Sequence, residues 1–174
     1  FGGVGAFGDP VYPVSAEAVE ASVALAWTSG VMRQLMESDS AVALNALTAT
    51  KNPKYEPVVS GGRKFLTGHQ IDEGEGYKPE HRYYGGVGYG GDERPDMSNL
   101  YLALEGLKSA STDPKDPVWE KALVFVNRSQ NRSESNDQSW AANDGGFVYM
   151  PGWNPPEFAN GTNSYGGMTA AGLI

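Results

Sequence analysis

One glycine motif occurs twice in the sequence, as Gly85-Gly86-Val87-Gly88-Tyr89 and, 60 residues later, as Gly145-Gly146-Phe147-Val148-Tyr149. This repetition is the strongest indication of the fold. The same offset, without a gap, pairs identical residues along both halves: Ser38 with Ser98, Ala43-Leu44 with Ala103-Leu104, Leu47 with Leu107, Pro57-Val58 with Pro117-Val118, Phe65 with Phe125 and Gln70 with Gln130. A repeat of this length is a supersecondary unit that must stack on a neighbour to bury its apolar face. The sequence therefore predicts one domain over 1–174, with units at about 38–97 and 98–163 and a third that starts at 164.

Each unit is predicted to hold two helices followed by a long glycine-rich loop. In the second unit, Asp96 or Ser98 is expected to cap a helix whose apolar residues recur at spacings of three and four. Asp116 as the N-cap and Pro117 at the first helical position predict the next helix. Its predicted buried stripe is Val118, Trp119, Ala122, Leu123, Phe125 and Val126, which the first unit matches with Pro57, Val58, Val59, Phe65 and Leu66.

Two further helices are predicted outside these pairs. Ser164 is expected to cap a short helix with Met168, Ala171, Leu173 and Ile174, and Ser15 is expected to start one that continues through Val31.

The connections at 70–97 and 130–163 are longer than most loops of compact domains. Loops of such length commonly carry function, so the candidate residues are sought there.

The composition excludes several classes of function. With 13 Lys and Arg against 21 Asp and Glu, the net charge is −8, which disfavours nucleic acid and anionic membranes as partners. The chain has no Cys, so it cannot form disulfides, thiolate zinc sites or a cysteine nucleophile. No apolar run approaches the roughly 18 residues of a membrane span. A protein that does not span the membrane is predicted.

Several motifs resemble the prenyltransferase and squalene-cyclase repeat family. The stretch 84–96 reads Tyr-Gly-Gly-Val-Gly-Tyr-Gly-Gly-Asp-Glu-Arg-Pro-Asp and is followed by Ser98-Asn99 and Leu102-Ala103-Leu104-Glu105. Further matching segments are Lys121-Ala122-Leu123-Val124-Phe125, Arg128-Ser129-Gln130-Asn131, Glu134-Ser135-Asn136-Asp137, Asp144-Gly145-Gly146-Phe147 and Ser164-Tyr165-Gly166. In order and spacing they look most like a bacterial subgroup of that family, mostly of unassigned function and often extracytoplasmic.

The resemblance implies an all-α fold of the α/α-toroid type, here a partial ring of about three helical hairpins. It also implies a periplasmic or extracellular location. The family's terpene cyclases use an Asp-x-Asp-Asp motif, and its protein prenyltransferases hold zinc with Asp, Cys and His. This chain lacks both the tetrapeptide and any Cys. The prediction is therefore a non-catalytic binding or scaffold module, such as an accessory subunit, that docks a partner protein or apolar ligand through its loop face. The alternative is an isoprenoid-processing enzyme with an Asp proton donor.

Asp144, Asp96 and Asp92 are the candidate catalytic residues under that alternative. A carboxylate among charged neighbours can act as a general acid when its pKa is raised. At each of these positions a purely structural role is the alternative to a catalytic one. Asp96 can cap the following helix, Asp92 can pair with Arg94, and Asp144 can close an Asx turn before Gly145-Gly146.

Aromatic residues concentrate in the two loops, which makes them candidates for contact with a ligand or partner. In a cyclase they would line an apolar cavity, and in a binding module they would meet a protein or apolar ligand. Otherwise they pack the glycine-rich loops onto the helix ends. The candidates are Tyr84, Tyr89, Trp140, Phe147, Tyr149 and Trp153.

No metal and no cofactor is predicted. His69 and His81 are the two histidines, and no ligand pair has the helical i, i+4 spacing of a metal site. The Gly86-Val87-Gly88-Tyr89-Gly90 run lacks the preceding strand of a nucleotide fold. The expected partners are a protein, a second copy of the chain or an isoprenoid-like apolar ligand.

Overall fold

A computed structural model describes residues 40–89 and 94–173, and over those ranges the protein is all-helical with no strand. The helix predicted from Ser15 lies outside the described residues, as does Asp92. The five α-helices in the described ranges are α1 (Ser40–Ala49), α2 (Glu56–Gly68), α3 (Met97–Ser109), α4 (Pro117–Ser129) and α5 (Gly166–Gly172).

The helix starts follow from the predicted caps. The Asp96 side chain accepts a hydrogen bond from the Asn99 N–H at 2.9 Å and caps α3. Asp116 accepts from the Val118 N–H at 3.0 Å, with Pro117 at the first position of α4. Both caps satisfy backbone donors that have no partner inside the helix. The prediction from Asp116-Pro117 is confirmed, and Asp96 rather than Ser98 caps α3.

The turns between paired helices also recur at the 60-residue offset. Lys51 lies between α1 and α2 with φ of 52°, and Ser111 lies between α3 and α4 with φ of 55°. The left-handed region is unusual for residues with a Cβ, so its appearance at equivalent positions shows that the two hairpins turn alike.

Helix α3 lies at the centre of the described core, between α1 and α5. Gly106 of α3 rests on α1, where a Cβ would lie 3.4 Å from Leu44 Cδ2 and from Asn45 Nδ2. Asn45 in turn donates to the Leu102 carbonyl at 3.2 Å. Because α3 covers α1 and α2 closely, their inward residues Ala41, Leu44, Val59 and Leu66 are buried.

Four predicted core residues are instead exposed, and one of them is Pro57. Val58 and Leu123 are each 57% exposed, and Phe65 is 45% exposed. Phe125, the counterpart of Phe65, is fully buried because Gly86 of the preceding loop packs against its ring. No described loop covers the same face of α2, so Val58 and Phe65 lack that neighbour.

The predicted cap of the last helix is also wrong. Tyr165, with no side-chain cap bond, is the N-cap of α5. The Ser164 hydroxyl instead donates to Asp144 at 2.7 Å and accepts from the Asn131 amide at 2.8 Å. Ser164 therefore ties the end of the loop to its beginning rather than capping the helix.

Candidate functional site

The first glycine-rich loop, described over residues 70–89 and 94–96, folds back on α4. Gln70 Nε2 donates to the carbonyls of Gly85 and Val118, both at 3.0 Å. Gly85 has φ of 83°, and a Cβ there would lie 1.8 Å from the Lys121 carbonyl oxygen. Only glycine allows this backbone conformation and this approach to a helix together. The loop is thus held directly against the first turns of α4.

The second loop, residues 130–165, repeats the same internal bonds. The Asn131 N–H donates to the Gly146 carbonyl at 2.8 Å, as the Ile71 N–H does to Gly86 at 2.9 Å. Gln130 Nε2 donates to the Gly145 carbonyl at 3.0 Å, the counterpart of the Gln70 bond. The motif that recurs in the sequence therefore encodes a recurring set of backbone contacts.

Asp96 is completely buried and committed to its cap. Its Oδ1 accepts from the Asn99 N–H, and its Oδ2 accepts from the Asn99 side-chain amide at 2.7 Å. Both carboxylate oxygens are thus occupied by donors of the first helical turn. The arrangement matches the capping interpretation of this residue.

Asp144 is exposed and closes an Asx turn. Its Oδ1 accepts from the Gly146 N–H at 2.9 Å and from the Ser164 hydroxyl at 2.7 Å. These bonds hold the glycine pair in place at the start of the loop's return towards α5. The side chain has a positioning role within the loop.

A charged cluster joins the first loop to α4. Lys121 Nζ contacts Asp72 at 2.8 Å and Glu73 at 2.9 Å, and the Tyr84 hydroxyl donates to Glu73 at 2.9 Å. The hydrogen bond from Lys121 lowers the pKa of Glu73 to about 2. Burial, followed by the bond to Glu73, raises the pKa of Tyr84. Tyr84 is a buried packing residue of this cluster and is not available to a ligand.

A buried arginine joins the two loops. Arg128 donates to the Pro79 and His81 carbonyls of the first loop at 2.9 and 2.8 Å. It also forms a bidentate pair with Asp137 of the second loop, with distances of 2.8 and 2.6 Å. The Arg128 guanidinium lowers the pKa of Asp137 to about 2. This contact was missed in the sequence, where Arg128 reads only as a basic residue in the last helical turn.

The aromatic candidates separate into a buried group and an exposed cluster. Phe147 is buried beneath α5, where a Cβ on Gly172 would lie 2.7 Å from its ring, and Trp140 is partly buried beside Gly152. The exposed cluster consists of the exposed residues Tyr89 and Trp153 with the partly buried Tyr149 between them, and we call it the aromatic cluster. Its members are joined by a 3.3 Å contact between the two tyrosine hydroxyls and by an edge-on contact of Tyr149 with Trp153.

The aromatic cluster presents neutral rings and hydroxyls to the surface. Tyr89 is 68% exposed and Trp153 is 44% exposed. Burial, followed by the hydrogen bond with Tyr89 and the nearby Asp96 carboxylate, raises the pKa of Tyr149. The Tyr149 hydroxyl is therefore protonated at neutral pH and interacts with Tyr89 and Asp96. Such a surface suits recognition, in which aromatic rings supply apolar area and a polar group sets the orientation.

Neither histidine lies in a metal-binding constellation. His69 stacks on Phe65, with ring centroids 3.9 Å apart, and His81 packs beside Tyr77 and Tyr83. Over residues 40–89 and 94–173, no group of three or more His, Asp or Glu side chains could hold a metal ion.

An apolar groove of about 220 Å³ lies between α3, α4 and α5. Leu104, Trp119 and Val126 form its apolar floor, Glu105 and Lys108 lie at its rim, and Ala171 and Gly172 close one end. The sequence gives no sign of this groove, because Trp119 and Val126 fit the pattern of ordinary core residues. A larger cavity of about 410 Å³ lies at the helix turns and is lined by more polar residues, including Lys51, Asn52, Arg63 and Ser111. The smaller groove has the stronger apolar character and is the better candidate for a protein contact.

Comparisons with protein family models, curated proteins and solved structures gave no match for this chain. Across the described ranges, no helix has both the length and the apolar character needed to cross a membrane.

Proposed function

We propose that the chain is a non-catalytic binding or scaffold module of the α/α-toroid type that docks a partner protein or an apolar ligand through its loop face. The observation that carries this proposal is the aromatic cluster. Tyr89 and Trp153 expose apolar rings beside a Tyr149 hydroxyl that stays protonated, on a loop face whose backbone is fixed by repeated hydrogen bonds. A rigid surface of this composition binds with little loss of conformational entropy.

The bonding of the candidate acids supports binding over catalysis. Asp96 and Asp144 each accept hydrogen bonds that cap a helix or close a turn. The isoprenoid-processing alternative requires one of them to donate a proton to a substrate. We therefore expect Asp144→Asn to leave partner binding unchanged. Loss of turnover of a polyprenyl substrate in that variant, with the fold retained, would favour the enzyme instead.

The test compares the aromatic cluster with an exposed aromatic residue elsewhere. Tyr89→Ala/Trp153→Ala removes the two exposed rings, while the control Phe158→Ala removes a ring that is 61% exposed and stacks on Tyr165. Quantitative mass spectrometry would measure which proteins and lipids co-purify with each variant. We expect the double variant to lose a species that the wild type and the control retain. Identical recovery from all three would refute the role of the cluster.

The periplasmic or extracellular location, the membership of the bacterial toroid subgroup and the arrangement as a partial α/α-toroid ring remain predictions from the resemblance. Fractionation of cells that express the full-length protein would check the location.

A further inference from the structure

Asn160-Gly161 lies on an exposed part of the second loop. It is the one Asn-Gly pair in the sequence, and both of its residues are exposed. The Asn163 N–H donates to the Asn160 carbonyl at 3.1 Å, so the pair opens a tight turn. Gly161 has φ of 57°, and a Cβ built on it would meet nothing within 4 Å. The turn therefore leaves both residues open to solvent.

The reactive groups of this pair have no hydrogen-bond partner among the described residues. No described group bonds the Asn160 side-chain amide, and the Gly161 N–H donates to no described acceptor. A glycine also has no Cβ that would shield its backbone nitrogen. The Gly161 nitrogen can therefore approach the Asn160 side-chain carbonyl carbon without breaking a hydrogen bond.

Asp144-Gly145 is a pair of the same size in the same loop, but its groups are bonded. The Gly145 N–H donates to the Asn131 carbonyl at 2.9 Å. The Asp144 Oδ1 accepts from the Gly146 N–H at 2.9 Å and from the Ser164 hydroxyl at 2.7 Å. Closing a ring between this side chain and the next nitrogen would require all three bonds to break. One loop thus contains an open pair and a closed pair.

The turn at Asn160 is attached to a buried side chain that also holds the aromatic cluster. Asn154 is 2% exposed, and its Nδ2 donates to the Gly161 and Asn163 carbonyls, both at 2.9 Å. Its Oδ1 accepts from the Tyr149 N–H at 2.8 Å. Asn154 therefore couples the position of the turn to the backbone of Tyr149.

We propose that Asn160 is a site of spontaneous modification, which converts it to isoaspartate and loosens the aromatic cluster. The Gly161 nitrogen loses its proton and bonds to the Asn160 Cγ, and ammonia leaves from the side chain, which closes a succinimide ring. Water then opens the ring at either carbonyl and gives isoaspartate or aspartate. Both products carry a carboxylate in place of the neutral amide.

The isoaspartate product has the larger structural effect. Its main chain passes through Cβ and Cγ, so the backbone gains one carbon before Gly161, and the former Asn160 carbonyl becomes a free carboxylate. The bond from the Asn163 N–H then loses its geometry, and the Gly161 carbonyl moves away from Asn154. Because a buried donor without its acceptor is costly, we expect Asn154 to shift and release the Tyr149 N–H. Weaker partner binding would follow, and only this last step rests on the proposed function.

The test follows position 160 in the full 174-residue chain, produced in a bacterial host and incubated at neutral pH. Peptide mass spectrometry would measure the gain of one dalton at each Asn, and electron-transfer fragmentation would separate isoaspartate from aspartate. We expect Asn160 to convert before every other Asn, and at least about tenfold faster than the buried Asn131. In the converted protein, amide hydrogen exchange at Tyr149 should be at least about tenfold faster.

Asp144→Asn provides the matched control, because it makes a second Asn-Gly pair in the same loop. In the folded variant, position 144 should convert at least about tenfold more slowly than position 160, since its groups stay bonded. In urea the two positions should convert at similar rates, because both are then free. Asn160→Gln should keep the exchange at Tyr149 constant over the same incubation.

Three outcomes would overturn the proposal. A folded wild-type chain in which Asn160 does not convert first would refute the modification, and this measurement decides even if Asp144→Asn fails to fold. Equal rates at positions 144 and 160 in the folded variant would mean that hydrogen bonding does not select the site. Conversion that leaves Tyr149 exchange unchanged would refute the coupling through Asn154. Each readout is independent of a partner, so these failures can be told apart from a failure of the proposed function.

Discussion

The two glycine-rich loops have the same internal bonds but different surroundings. In the first loop, Gly85 lies against the Lys121 carbonyl, and Gln70 is 2% exposed with two carbonyl acceptors. In the second, a Cβ on Gly145 would meet nothing within 4 Å, and Gln130 keeps only the bond to Gly145 in the described structure. The loop geometry is thus encoded locally by the motif, whereas the tightness of packing depends on the helix that lies over it.

The largest effect is expected when one methyl group is added to each loop, which tests the difference in packing between them. Gly85→Ala combines a left-handed φ, which costs about 1 to 2 kcal/mol in an L-residue, with overlap on a helix carbonyl, which adds about 1 to 3 kcal/mol. Gly145→Ala incurs the φ cost alone, since its φ is 78° and its surroundings are open. Urea unfolding should therefore show a loss about twice as large for Gly85→Ala. Equal losses would mean that the cover over the first loop adds nothing.

Removal of the two glutamine side chains should give a smaller difference in the same direction. Gln70→Ala takes the donor from two buried carbonyls and should lower the free energy of unfolding by about 2 to 3 kcal/mol. Gln130→Ala removes one partly exposed bond and should cost about 1 kcal/mol. Thermal unfolding would measure both, with Lys115→Ala at an exposed position as a surface control. A larger effect at Gln130 would show that the second loop is covered in solution.

The decrease in the free energy of unfolding at acidic pH tests the ion pairs that anchor the loops. Glu73 and Asp137 have folded-state pKa values of about 2, below the values of about 4 in an unfolded chain. A depressed pKa contributes stability above the unfolded value, and this contribution is lost as the pH falls from about 4 to 2. Glu73→Gln and Asp137→Asn should each be less stable at pH 7 and show a flatter decline over that window.

Lys121→Met provides the matched control for the first of these pairs. Because the Lys121 bond is the largest cause of the Glu73 shift, Glu73→Gln should have little further effect in the Lys121→Met background. Urea midpoints collected at several pH values would measure this coupling. A full additional loss in the double variant would assign the low pKa of Glu73 to another neighbour.

The smallest effect is expected at Asp144. Asp144→Asn keeps an Oδ1 acceptor for the Gly146 N–H and the Ser164 hydroxyl, so the free energy of unfolding should change by less than about 0.5 kcal/mol. Asp144→Ala, which removes the acceptor, should cost about 1 kcal/mol. If both substitutions destabilise equally, the negative charge rather than the turn geometry supports the loop.

The features predicted from the sequence are those that neighbouring residues determine. Asp96 and Asp116 each start a helix because the side chain accepts a hydrogen bond from a backbone N–H of the first turn. The glycine motif likewise forms its hydrogen bonds mostly within its own loop. Exposure of Val58 and Phe65 could not be predicted from the helical pattern, since it depends on which loop lies over the helix. Ser164 was misassigned because two loop residues compete for its hydroxyl with the backbone donors of the helix.

The candidate site also combines features that the sequence could predict with features that depend on tertiary packing. The sequence identified Tyr89, Tyr149 and Trp153 among the loop aromatics, but it could not separate them from buried Tyr84 and Phe147. The groove beside Leu104 was not predicted because Trp119 and Val126 read as ordinary core residues.

The Arg128 guanidinium has a mechanical consequence for the loops it joins. One side chain of α4 holds the Pro79 and His81 carbonyls of one loop and the Asp137 carboxylate of the other, so its removal releases both loops at once. Amide hydrogen exchange should then show that Arg128→Ala lowers the protection of both loops together.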